Sequence, residues 1–435
     1  MKVTGNDPQL VFNQLGPELD MLVKRDSLKE ILFYALFVLL SVALFFLLQV
    51  IKVKASTVNQ AALSSAFVFM LAVPVFGGFI VNEKQATVEN RTLAANPFLH
   101  LKKLSFEEFT GQFENFINDN FAFRNQLIRW NNNIKVKWLG MSSVEQVIIG
   151  KDGWLFYNNN GAIEDYQGLK TFSDEELQTI EENLQERKRW LAAQGIEYYV
   201  VVAPDKNTIY SEYLPDYIRK KNNVTRLDQL ITYLGSNSDM EIIDLRSTLL
   251  EHKSEGQLYR KNDTHWNALG AFYGYEKLIA KVSEDLPNIK PLSIHDFKVN
   301  EVTSSGDLSE MLLIDGGFME NNLRLDPISS SKVEDYTTQK ESYPNSPNTI
   351  ITTAPGLPDD AYKLLMFRDS FTVDMIPYLS QHFKRSVYIW NHNFDASIIK
   401  EENPDIVIHA LVERFLDQLL FPNPNIMRGN EDEKL

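Results

Sequence analysis

The chain has 435 residues, a formal charge of −15 and no cysteine. Nucleic-acid binding needs positive charge clustered on one face, and no dense basic run offsets the acidic total, so nucleic acid is excluded as a partner. The lack of thiols excludes disulfides, cysteine-ligated zinc, iron–sulfur clusters and a cysteine nucleophile, while 44% hydrophobic and 23% charged residues describe a globular protein with a greasy addition.

The greasy part lies near the start, after an N-terminal tail of residues 1–30. Residues 31–51, ILFYALFVLLSVALFFLLQVI, carry no charge over about 30 Å of helix, the thickness of a bilayer core. A second uncharged run extends from Ala55 to Asn82 and is interrupted by Pro74, Gly77 and Gly78. Together, residues 31–82 read as a membrane anchor of one or two transmembrane helices, a two-helix hairpin if both runs span, with the lipid bilayer as a partner; an interfacial or buried helix is the competing reading of the second run. The first run begins too far from the start, and lacks the small-residue cleavage site, of a signal peptide. Lys24, Arg25 and Lys29 precede it and Lys52 and Lys54 follow it, so the positive-inside rule selects no orientation.

From Glu83 to about residue 425 the chain reads as one α/β domain, followed by a C-terminal tail of residues 426–435. Phe106, Phe109, Phe113, Phe116 and Ile117 share a helical face. Ser173 and Glu176 form a capping box that opens a second helix, and Gly195 stops it. Five short apolar runs follow: 196–204, 240–245, 362–367, 386–390 and 405–411. They read as buried parallel strands, with helical stretches such as NALGAFYGYEKLIAKVSEDL between several of them. The polar stretch 292–355 reads as a long insertion or irregular loop.

Strand 362–367 runs into Arg368-Asp369-Ser370, with a helical segment after it. A serine at a strand-to-helix junction is placed as a nucleophile, with its own N–H as one oxyanion donor; the competing reading is an ordinary N-cap. Asp263-Thr264-His265 supplies what such a serine lacks, a base and a carboxylate to orient it, because residues i and i+2 of an extended segment point to the same side. G-x-S-x-G is absent, as are HExxH and a third residue at ligand spacing, so neither a common α/β-hydrolase elbow nor a metal is expected. Trp154 and Lys206 are further candidates, for stacking on sugar and for lining a crevice at a strand end, and Arg368 is a candidate for holding an anion or for a salt bridge to Asp369.

Eight stretches in order then resemble one family: VENRTLA (88–94), FINDNFAFRNQLI (116–128), IIGKDGWLFY (148–157), VVAPDKNTIYSEYLP (201–215), NDTHWNALGAF (262–272), SGDLSEML (305–312), FRDSF (367–371) and DIVIHALVERFL (405–416). The chain resembles the SGNH-hydrolase-like O-acetyltransferases of bacterial exopolysaccharide systems, the group that includes the alginate acetylation proteins AlgJ and AlgX. The resemblance implies a three-layer α/β/α sandwich with Ser370 as nucleophile, His265 as base and Asp263 as its partner. It implies no cofactor, a polysaccharide acceptor, and a multi-pass membrane-bound O-acyltransferase that supplies acetyl groups. It also implies a catalytic domain anchored on the extracytoplasmic side of the cell membrane. Where the family serine often follows Gly-Asp, this chain has Arg368, so an oxyanion role for a glycine amide does not carry over. Glu413 and Arg414 match a family pair and read as a structural ion pair. An acetyl esterase with the same triad, or a non-catalytic assembly protein, are the alternatives.

Overall fold

The computed structural model describes residues 94–98, 105–120, 124–314, 317–328, 337–343, 346–423 and 426, with two isolated positions at 64 and 67. The expected membrane anchor and both terminal tails lie outside these residues, single positions aside. Among the described residues no helix is long and apolar enough to cross a membrane. The chain divides into two units, Met1–Leu127 and Ile128–Leu435.

The first unit contributes helix α1, Phe106–Asn120. Ser105 and Glu108 cap its start reciprocally, with the Ser105 N–H donating to Glu108 Oε2 at 2.8 Å and the Glu108 N–H donating to Ser105 Oγ at 3.3 Å. The rings of Phe109 and Phe113 face Phe98 edge-on, at 5.5 and 5.8 Å between centroids. Helix α2, Arg124–Asn133, continues into a π-helical turn over Ile134–Trp138.

The second unit is built on one seven-stranded sheet. In chain order, β1 (Val147–Ile149) and β2 (Leu155–Tyr157) make a separate antiparallel pair. The sheet holds β3 (Glu197–Ala203) and β4 (Ile242–Asp244). A second two-stranded ribbon pairs β5 (Phe297–Ser304) with β6 (Glu320–Pro327). The rest of the sheet is β7 (Thr337–Tyr343), β8 (Ser346–Thr353), β9 (Lys363–Arg368), β10 (Arg385–Trp390) and β11 (Ile406–Val412). Its order is β4-β3-β11-β9-β10-β8-β7. The first five are parallel; β8 joins β10 antiparallel and β7 pairs back on β8.

The five expected strands are these five parallel strands, and the reason is burial on both faces. Tyr199, Val201, Met366, Ile408 and Ala410 point into one core, and Tyr198, Val200, Leu365, Phe367 and Val407 into the other. A strand buried on both sides has no polar side to alternate with, so it reads as an apolar run. Helix α8 (Ala268–Asp285) packs through Phe272, Tyr275 and Ile279 on the first face. Helices α4 (Asp174–Ala192), α6 (Arg226–Asn237) and α11 (Ala396–Glu402) cover the second. The result is three layers. The Ser173–Glu176 capping box opens α4 as expected, and such a cap is worth about 1 kcal/mol.

The stretch 292–355 departs from expectation. It is not an irregular loop: it contributes the β5–β6 ribbon and two strands of the main sheet. The strands of the ribbon are polar because they are largely exposed, so no apolar run marks them. The short helices are α3 (Ala162–Gln167), α5 (Lys206–Ile209), α7 (Arg246–His252), α9 (Asp307–Met311) and α10 (Ile376–Leu379). Because β3, β11 and β9 are parallel neighbours, their carboxyl ends open on one edge, which puts Lys206, Glu413 and Ser370 at the same end of the sheet.

Candidate active site

Ser370 follows β9 and precedes a 3₁₀ turn, Phe371–Met375. The usual task of a serine there is to cap the turn, but its side chain makes no cap bond. Asp369 caps instead: its Oδ1 accepts from the Phe371 N–H at 2.9 Å, and its Oδ2 accepts from the Val412 N–H at 2.6 Å, which ties the turn to the end of β11. The Ser370 hydroxyl is left for another partner and lies 2.7 Å from His265 Nε2.

The histidine comes from the segment between α7 and α8. Tyr259 and Trp266 form an isolated antiparallel bridge that closes this segment into a loop. Asn267 caps α8, its Oδ1 accepting from the Leu269 and Gly270 N–H groups at 3.0 and 3.1 Å. Asp263 therefore has no capping role and turns to the histidine. Its Oδ1 accepts from the His265 backbone N–H at 2.9 Å and from Nδ1 at 2.7 Å. With the Nδ1 proton given to Asp263, Nε2 faces Ser370 as an acceptor. Burial pushes the Asp263 carboxyl up, but the hydrogen bonds and charge of His265, with Arg260 adding to them, hold it well below the usual carboxylate range.

Asp307, at the start of α9, completes the loop and was not legible in the sequence. Its N–H donates to Asp263 Oδ2 at 3.1 Å, its Oδ1 accepts from the Thr264 N–H at 2.7 Å, and its Oδ2 stands 3.8 Å from His265 Nδ1. Gly306 precedes it because a Cβ there would overlap the Asn262 carbonyl and side chain. Asp263, His265 and Asp307 bring three ligand-type atoms within 4.8 Å of one another. The Nδ1 on that side is already bonded to Asp263, so a cation would have to displace that hydrogen bond.

The other candidates have different surroundings from those expected. Lys206 neither lies at the surface nor lines a crevice: it is buried, and its ammonium donates to the carbonyls of Arg260, Lys261 and Asp263 at 3.0, 3.1 and 2.5 Å. Its three donors are spent on the histidine loop, and burial lowers its pKa to about 7 against the pull of Asp263, Asp307 and Glu320. Trp154 is 2% exposed and stacks on Tyr210 and Tyr213 at 4.4 and 4.7 Å, so its ring belongs to the core rather than to a sugar platform. Arg368 forms no ion pair with Asp369, whose two oxygens are occupied by amides. Its guanidinium is buried over the Trp390 ring at 4.7 Å, donating to the Asp369 and Asn348 carbonyls at 3.2 and 3.4 Å, and burial lowers its pKa to about 10. Glu413 and Arg414 do not pair with each other. Arg414 pairs with Asp205, while Glu413 accepts from the Thr208 hydroxyl at 2.6 Å and the Asp205 N–H at 3.2 Å.

Beside the acid lies a cavity of about 300 Å³ whose lining includes Arg260, Asp263, Ser304, Asn322, Arg324 and Asp374, with the β5–β6 ribbon as one wall. Arg260 reaches Asp374 at 3.0 Å and Asp263 at 3.9 Å. Chemically, the arrangement is a hydroxyl facing an imidazole that a half-buried carboxylate orients, next to space for a small ligand.

Residues 147–356 match the family described as SGNH hydrolase-like domain, acetyltransferase AlgX. The probable alginate O-acetylase AlgJ of Pseudomonas aeruginosa is 28% identical over 187 residues, 40% of this chain and 43% of the relative. That of Pseudomonas putida is 27% identical over 176 residues, 39% and 42% of the two chains. The match thus spans less than half the length of these relatives. The solved O-acetyltransferase domain of Pseudomonas putida AlgJ has a TM-score of 0.40 and 17% identity, covering 66% of this chain and 99% of that one.

Proposed function

We propose that the chain, whose residues 147–356 match the AlgX-type SGNH hydrolase-like family, is a membrane-anchored O-acetyltransferase acting on hydroxyls of an extracytoplasmic polysaccharide. One observation carries the reading: Ser370 Oγ, His265 Nε2, His265 Nδ1 and Asp263 Oδ1 lie in series with 2.7 Å at each hydrogen bond. In the first half-reaction His265 Nε2 takes the Ser370 proton as Oγ bonds to the acetyl carbon of the donor. The bond from that carbon to the donor's leaving group breaks, and the leaving group takes the proton from His265. In the second half-reaction an acceptor hydroxyl gives its proton to His265 and its oxygen takes the acetyl group, while the ester to Ser370 breaks and Ser370 is reprotonated. Asp263 stabilises the imidazolium formed in each half. The Ser370 N–H is the oxyanion donor we assign, and the cavity along β5 and β6 is the acceptor side. No cofactor enters the scheme. The uncharged segments at 31–82 support the anchor. A multi-pass membrane-bound O-acyltransferase that brings acetyl groups across the bilayer is the partner we assign.

The test uses full-length protein and an acetylated chromogenic ester, with and without oligosaccharide acceptors. Acetylated oligosaccharides found by mass spectrometry support acetyl transfer. Free acetate alone, whatever the acceptor, identifies an esterase. Full activity of Ser370→Ala overturns the assignment of the nucleophile, and no activity with any ester or acceptor favours a non-catalytic assembly role.

A further inference from the structure

Trp130, Ile134 and Trp138 recur every four residues along the end of α2 and the π-helical turn, and Leu139 and Met141 follow them. All five are more than half exposed, Trp138 at 84%. Large apolar side chains in such a row are costly to leave in water, and a contiguous exposed row marks a contact surface. The opposite face of the same segment is fastened down. Asn132 is buried and donates to the Leu312 carbonyl at 2.8 Å, and Val136 packs with Leu308 and Leu312. The segment is therefore a held element with its aromatic side outward, not a frayed end.

Charge indicates what covers it. The chain carries −15 overall, with 58 acidic residues in 435, so a 24-residue stretch holds roughly three at the average density; Phe121–Val144 holds none, and includes Arg129, Lys135 and Lys137. Tryptophan with flanking lysine is the composition of segments lying in the headgroup layer, where the indole spans the polar–apolar boundary and the basic groups meet lipid phosphate. We infer that residues 129–141 dock on an anionic bilayer surface, with Trp130, Ile134 and Trp138 inserted at headgroup depth and Lys135 and Lys137 on the phosphates. This contact is separate from the segments at 31–82 and does not depend on the proposed chemistry.

The absence of cysteine allows a clean test, because a single introduced thiol is unique. Full-length Trp138→Cys, and Ser236→Cys on an exposed position of α6, carry an environment-sensitive fluorophore in vesicles of phosphatidylcholine with or without phosphatidylglycerol. In phosphatidylglycerol vesicles the label at 138 shifts to the blue and is quenched by aqueous iodide about threefold less than the label at 236. In pure phosphatidylcholine the protection weakens, and Lys135→Glu with Lys137→Glu removes the difference between the two lipids. Equal quenching at both positions overturns the inference. So does protection at 138 that is independent of lipid charge, which identifies a protein contact instead: the N-terminal segment, a second copy or a membrane partner. A circular dichroism spectrum and thermal unfolding midpoint matching those of the unlabelled parent show that each labelled protein is folded.

Discussion

Replacing Asp263 with asparagine removes one negative charge and leaves the shape unchanged. Asp263 Oδ1 accepts two N–H groups of His265, and Oδ2 accepts the Asp307 N–H. An asparagine cannot satisfy all three. With its oxygen toward His265, its NH₂ meets the Asp307 N–H, donor against donor. Flipped, its NH₂ meets the His265 backbone N–H and forces the ring proton onto Nε2, where it blocks acceptance from Ser370. One buried donor conflict costs about 1–3 kcal/mol, and exchanging a charge-assisted hydrogen bond for a neutral one loses about 1–2 kcal/mol more. The expected loss of transition-state stabilisation is about 2–5 kcal/mol, a fall in kcat/KM of about 30-fold to 5,000-fold on an aryl acetate. Because the folded-state pKa of Asp263 is lowered, its contribution to stability is present above its ordinary value of 3.8 and is lost as pH falls through the folded value. Asp263→Asn should therefore flatten the acid limb of a urea-denaturation series as well. Activity within about threefold of the parent, with an unchanged acid limb, would refute the reasoning.

Lys206→Met keeps the volume and deletes three donors, so the carbonyls of residues 260, 261 and 263 lose the ammonium, although that of Lys261 keeps the Leu155 N–H; the expected cost is about 3 kcal/mol by chemical denaturation, with kcat falling more than KM changes. Gly306→Ala pushes the start of α9 away from Asn262, which should lower stability by about 2 kcal/mol and reduce kcat through the Asp307–Asp263 contact. Burial and Asp205 raise the Glu413 carboxyl from 4.5 to about 7, so its contribution is full below pH 4.5 and is lost as pH rises through 7. Glu413→Gln should remove about 3 kcal/mol of that decline between pH 4.5 and 8, measured as the difference between parent and variant denaturation curves.

What could be read from the sequence follows the physics of burial. The five parallel strands announced themselves because both of their faces are covered. The β5–β6 ribbon did not: along FKVNEVTS only Phe297 is fully buried, and half-exposed polar strands resemble loops. Asp263 and His265 were legible because their hydrogen bond spans two residues, and Ser370 because a strand visibly ends before it. Asp307 lies more than forty residues from the pair it supports, inside a stretch that looks like a surface turn. Lys206 binds backbone carbonyls, which any residue offers, so no sequence pattern records its partners. Arg368 and Asp369 suggested an ion pair by adjacency, but two amides had already claimed the carboxylate.

Trp266 gives the pair its durability. It follows His265, and its indole N–H donates to the carbonyl of Phe371, which follows Ser370, at 2.9 Å in the buried core. The base and the serine are 105 residues apart and ride on different elements, yet their immediate neighbours are clasped together. The indole works as a caliper: if α8 shifts against the sheet, the two jaws move together and the gap between Nε2 and Oγ is kept. A loosened Trp266 should therefore show first as wider scatter in His265–Ser370 spacing, before any loss of the fold around it.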